Sequence, residues 1–150
     1  MSQSLAQLYV HLVFSTKHRE HLIIPSVHPE LYSYLGGILN NIECFPIQIG
    51  GMTDHMHILC CLSKKITLIK MIEEIKRSSS KWIKTKGASF NKFFWQDGYG
   101  AFSVGYTQID DVTKYILNQN EHHKKVSFQD EYRNFLKKYN IEFDERYIWD

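Results

Sequence analysis

Two short segments of this chain carry side chains that can act on a phosphodiester. Asp54-His55-Met56-His57 opens an alternating apolar run, Met56, Ile58, Cys60 and Leu62, whose period of two predicts a β-strand. Residues two apart on a strand point the same way, so His55 and His57 present adjacent imidazoles. Further along, Tyr115-Ile116-Leu117-Asn118-Gln119 lies in a helical pattern. Residues four apart share a helix face, so Tyr115 and Gln119 project together. Two imidazoles and an amide oxygen can hold a divalent ion, magnesium or manganese, and leave coordination positions open. Neutral ligands leave the ion its full charge to polarise a phosphate oxygen and stabilise a departing 3′-oxygen. A phenol, with a pKa near ~10, is a poor nucleophile unless it is positioned and the charge at phosphorus is offset. A phosphotyrosine product conserves the energy of the broken bond, so a later 3′-hydroxyl can reverse the step. The chemistry expected is cleavage and rejoining of a strand.

These side chains need a scaffold, and the rest of the sequence predicts one. Leu8 to Phe14 reads as an interior strand, apolar on both faces. Residues 28–41 predict a helix opening at Pro29, and Phe45 to Ile49 a strand near a sheet edge because of Pro46. Gly50-Gly51 reads as a turn into the histidine strand, and as a place where backbone can pack closely beside the site. Asp54 can hold an imidazole tautomer from behind or merely cap that turn. Residues 67–84 predict an amphipathic helix with Leu68, Ile72, Ile75, Ser79 and Trp82 inward. Asp97 to Gly100 predicts a turn between two extended segments, and Asp110-Asp111 the start of the tyrosine helix, with acid at its positive end. Residues 128–139 form a further amphipathic helix, followed by a polar tail. The element order is βαββαβ plus C-terminal helices, an α+β ferredoxin-like (RRM-like) antiparallel sheet with helices on one face.

Composition bounds the reading. The 150 residues make one domain, with 43% hydrophobic and 14% aromatic content, enough for a packed core. Cys60 and Cys61 are adjacent on a strand and Cys44 is the odd one out, which argues against a disulfide framework. No leader pattern and no membrane span are read, so a cytoplasmic protein is expected.

Net charge is only +2, yet residues 64–92 hold nine of the 18 lysines and arginines against Glu73 and Glu74. Such a basic stretch suits a polyanion, although any solvated helix face can look like this. Lys17, Arg19, Arg77, Lys81 and Lys84 are the candidate phosphate contacts. Trp95 and Tyr99 are the candidate exposed stacking platforms for single-stranded DNA, with Phe94 and Trp82 assigned to the core. His122 and His123 read as surface residues or phosphate contacts.

Joint occurrence of His-hydrophobe-His and Tyr-x-x-x-Gln in this order resembles the single-tyrosine HUH transposases of small insertion sequences and their relatives associated with repetitive extragenic palindromes. The resemblance spans most of the chain and includes His11-Leu12-Val13-Phe14-Ser15-Thr16-Lys17, Gly50-Gly51 and Trp95-Gln96-Asp97-Gly98-Tyr99-Gly100-Ala101-Phe102. It implies His55, His57 and Gln119 as metal ligands and Tyr115 as the nucleophile that forms a 5′-phosphotyrosine. It also implies homodimers that recognise hairpin DNA near element ends, the tyrosine helix of one subunit serving the His pair of the other. Other readings are a replication or relaxase-type nickase with the same His pair, and a non-catalytic or domesticated RRM-like binder of single strands. The binder would carry aromatics on its central strands, where this chain has histidines.

Overall fold

Alternate residues of the first strand face two different environments, and that alternation organises the molecule. In this computed structural model, which describes residues 2–150, strands β1 (Leu8–Ser15), β2 (Pro46–Gly51), β3 (His55–Leu62) and β4 (Gly100–Val104) form one antiparallel sheet in the order β2-β3-β1-β4. Helices α1 (His28–Asn41) and α2 (Leu68–Ile83) complete the βαββαβ ferredoxin-like core that the sequence predicts. Leu12 and Phe14 of β1, with Met56, Ile58 and Cys60 of β3, pack on Leu31, Leu35 and Leu39 of α1 and Met71, Ile72 and Ile75 of α2. Burying each such side chain contributes about 1.5–3 kcal/mol. Thr67 starts α2 by accepting from the Lys70 amide at 3.2 Å.

The intervening residues, His11 and Val13 of β1 and His55, His57 and Leu59 of β3, face the other way. The register brings Val13 opposite His57 and Ser15 opposite His55. This second face is also covered, whereas the sequence predicts helices on one face only. Ile116 of α3 (Ile109–Leu117) joins Leu59 and Val104, and Phe128, Tyr132 and Leu136 of α5 (Phe128–Lys138) join Val13 and Phe102.

Three local expectations are corrected. Gly50 and Gly51 are not the turn: they end β2, paired with His57 and Met56, and the chain reverses over Met52 to Asp54. Their small size matters instead for close approach, since a Cβ on Gly50 would stand 2.8 Å from Ile116 Cγ2. Secondly, the tyrosine helix is not continuous through Gln119. Asn118 leaves helical geometry (φ −97°, ψ 22°), and a separate turn, α4 (Gln119–His122), follows. Thirdly, the end of the chain is more than a polar tail. Glu145 pairs with Arg133 at 2.5 and 3.1 Å, and Ile148 and Trp149 pack against the α5 cluster. Among the described residues no helix is long and apolar enough to cross a membrane.

Candidate active site

His55 and His57 lie side by side on β3, both fully buried, with ring centroids 5.2 Å apart. Behind them, Asp54 Oδ1 accepts from His55 Nδ1 at 2.7 Å, and His57 Nδ1 shares a 2.8 Å hydrogen bond with His11 Nε2. Burial would raise the Asp54 carboxyl, but its bond to His55 leaves it below the usual range. Burial pushes His11 down to about 3, with the neighbouring His57 adding to the shift. Of the two roles open to Asp54, the structure therefore shows it orienting an imidazole.

Gln119 reaches the pair from α4. Its Oε1 lies 3.1 Å from His55 Nε2 and 2.9 Å from His123 Nε2. Its Nε2 turns the other way, toward the Tyr115 carbonyl and Glu131 Oε2 at 3.5 and 3.4 Å, so the amide orientation is fixed by its donors. The imidazoles are constrained as well. His55 gives its Nδ1 proton to Asp54, and His123 gives its Nδ1 proton to the Val126 carbonyl at 2.7 Å. Each Nε2 then faces an oxygen that can only accept. Such a contact requires a second proton on the ring or a cation between the lone pairs. The donor set therefore fits a divalent ion. His55, His57, His123 and Glu131 each offer an atom, all within 4.8 Å of one another.

Tyr115, on the last turn of α3, points at the same place. Its hydroxyl donates to Glu131 Oε2 and lies 3.1 Å from His122 Nε2, and its ring packs edge-on against His57 at 5.7 Å. Burial, and then the charge and hydrogen bond of Glu131, hold this phenol above its ordinary range, so it rests protonated. A cleft of about 710 Å³, with Lys114, Asn118 and Lys125 on its walls, opens at Tyr115 and His122. Tyr115 lies against the His pair of its own chain. Only Gly105 and the turn Tyr106–Gln108 separate β4 from α3.

Sequence reasoning missed Glu131. It is 2% exposed, on the buried side of α5 between Phe128 and Tyr132. Burial would raise its carboxyl, but hydrogen bonds from His123 and His57 and the charges of His57 and His55 hold it well below the usual range. The clue was a lone acid inside an apolar stripe of Phe128, Tyr132, Phe135 and Leu136. His122 and His123, which the sequence reads as surface residues or phosphate contacts, place their Nε2 atoms 3.0 and 3.2 Å from Glu131 Oε2.

The DNA-contact candidates do not gather here. Trp95 is 6% exposed, wedged edge-on against Phe14 and Phe93 with its indole N–H on Ser79 Oγ, so it is core and no stacking platform. Phe94, assigned to the core, is instead exposed, with the Lys84 ammonium 4.2 Å above its ring. Tyr99 is half-buried beside Lys76. Arg77 pairs with Glu74 and Lys17 with Asp97, and Arg19 lies over Trp149. Lys81 is exposed. Arg77, Lys81 and Lys84 sit on or just beyond α2, across the sheet from the histidines.

Comparison with known proteins agrees with this architecture. Residues 4–119 match the family described as "Transposase IS200 like". A solved protein of Deinococcus radiodurans, assigned as a transposase, superposes with a TM-score of 0.62 at 20% identity, covering 79% of this chain and 98% of its own. A REP-associated tyrosine transposase bound to a REP hairpin superposes with a TM-score of 0.61 at 14% identity, covering 84% and 76%. None of the curated proteins matches the chain.

Proposed function

Because this chain belongs to the IS200-like transposase family, we propose that it cuts and rejoins single-stranded DNA at the ends of an element through Tyr115. The phenolic oxygen bonds to phosphorus, the bond from phosphorus to the 3′-oxygen breaks, and the phenolic proton is released. The departing oxygen takes up a proton and becomes a 3′-hydroxyl, while the 5′-phosphate stays on Tyr115 as a diester. Attack by another 3′-hydroxyl reverses the step and joins strands. One observation carries the reading: the Tyr115 hydroxyl, His55, His57 and Gln119 Oε1 meet around one buried point.

His55, His57 and Gln119 would hold the divalent ion, magnesium or manganese, which supplies positive charge to the phosphate and the leaving oxygen. The chain's own groups do the positioning. Asp54 and His11 fix the ring orientations, Gly50 lets α3 sit close enough for Tyr115 to reach, and α5 excludes water from above. Single-stranded or hairpin DNA is the expected substrate, and the structural likeness to a protein bound to a REP hairpin supports that class. Lys17, Arg19, Arg77, Lys81, Lys84 and Tyr99 remain the candidate backbone contacts, with binding that weakens as salt rises.

The test is a labelled single strand carrying the palindrome that flanks the gene, incubated with the protein and Mn2+ or Mg2+. A covalent protein–DNA adduct on a denaturing gel, lost in chelator, is expected. Cut DNA without an adduct, or full activity in chelator, overturns the reading. A homodimer is part of the proposal, with each site built from one chain. Mixing a His55/His57 double mutant with Tyr115→Phe then restores nothing, and recovery in the verified heterodimer would show that sites are exchanged between subunits.

A further inference from the structure

We propose that Glu131 is itself a ligand of the divalent ion and also the acceptor that seats Tyr115, one carboxylate oxygen serving each task. This rests on the reading of the His pair as a metal site. Glu131 lies beyond the segment that matches the transposase family, which ends at residue 119, so α5 brings a group to the site that the family match does not include.

Its geometry divides cleanly. Oε1 lies 2.9 Å from His57 Nε2 and 3.5 Å from His55 Nε2, the two nitrogens that face the ion's position. Ligand atoms about 2.0–2.2 Å from a common ion stand about 3–3.5 Å apart, so these spacings are those of neighbours in one coordination sphere. Oε2 accepts from the Tyr115 hydroxyl and from Gln119 Nε2 at 3.4 Å, and lies 3.0 and 3.2 Å from His122 and His123 Nε2.

Among the described residues, the basic partners of Glu131 are all histidines, groups that can also serve as metal ligands. A buried carboxylate is costly unless paired, and this one sits on an otherwise apolar helix face. A divalent ion supplies the charge that would offset it. The consequence is a fixed relation between ion and nucleophile, because a single rigid carboxylate touches both.

The experiment uses the full chain freed of metal and titrated with Co2+, followed by visible absorption and calorimetry. Glu131→Gln, similar in shape, is expected to weaken Co2+ affinity about 10-fold or more and to change the absorption band. Unchanged affinity and spectrum in Glu131→Gln, with His57→Ala losing the ion, would overturn the inference and leave the proposed function standing. If both variants bind as wild type does, the His-pair site itself is wrong. Should Glu131→Gln fail to fold, a crystal of the wild type grown with Co2+ decides. Anomalous scattering about 2.0–2.2 Å from Oε1 supports ligation, and a gap beyond about 3 Å refutes it. For the second task, the hydrogen-bonded Tyr115 hydroxyl proton, identified in proton spectra by its absence in Tyr115→Phe, should shift in Glu131→Gln. An unmoved resonance would remove Glu131 as its acceptor.

Discussion

The two faces of this sheet are made from alternate residues of the same strands, yet they are built on opposite principles. Toward α1 and α2, Leu12, Phe14, Met56, Ile58 and Cys60 belong to one apolar cluster, and stability follows from area and close packing. Toward α3 and α5, His11, His55, His57, Gln119 and Glu131 are just as buried, but each is held by directional bonds. Among the described residues no buried side-chain nitrogen or oxygen lacks a partner. One face can lose a methylene and keep its chemistry. The other can keep its fold and lose its chemistry through a single atom.

That contrast can be broken most sharply at Tyr115. Tyr115→Phe deletes one oxygen and should abolish the covalent adduct while far-UV circular dichroism and melting change little; a persisting adduct would move the nucleophile to Tyr106 or Tyr99. On the other face, Ile58→Ala should cost about 2–5 kcal/mol in denaturant unfolding through the cavity it leaves. Metal affinity per folded molecule should stay as in the wild type, and a comparable loss of affinity would mean that the two faces are not separable. Gly50→Ala tests the seam between them. Its new methyl, 2.8 Å from Ile116 Cγ2, must push α3 outward. A loss of about 1–3 kcal/mol and slower adduct formation are expected, measured by melting and single-turnover cleavage.

Gln119→Ala removes the amide oxygen and should weaken Mn2+ binding about 10-fold, read by calorimetry. The smallest effect is expected from pH. In metal-free protein, His11 stays neutral down to about 3, whereas the unfolded chain takes up that proton near 6.5. Between those values the unfolded state binds more protons, so stability falls as pH drops below 6.5. Glu131, held below its ordinary range, contributes stability that is present above about 4.5 and fades as acid protonates it. His123, raised because Glu131 outweighs its burial, acts the other way, contributing below 6.5 and losing that contribution as pH rises through its folded value. A melting temperature in chelator that rises from pH 7 to pH 5 would show that His123 dominates.

The strands, α1, α2 and the βαββαβ order were legible because period-two and period-3.6 patterns are local consequences of backbone geometry. The break at Asn118 was not, since Tyr115 to Gln119 reads equally well as one helix. Trp95 and Phe94 were exchanged between core and surface for a similar reason. In 93–96 the chain forms only a bridge from Thr16 to Trp95, and no periodic pattern tells which of two adjacent aromatics turns inward.

The sequence by itself determined that His55 and His57 share a strand face and that Tyr115 and Gln119 can share a direction, because both follow from repeats of a few residues. Only the tertiary structure decided that His11, from the neighbouring strand, backs His57, and that Glu131, 74 residues further on, closes the site above it. It also decided that the basic surface of α2 lies across the sheet from the chemistry. Those relations depend on how the sheet is covered on each face, and contacts between distant segments leave no period in the chain that makes them.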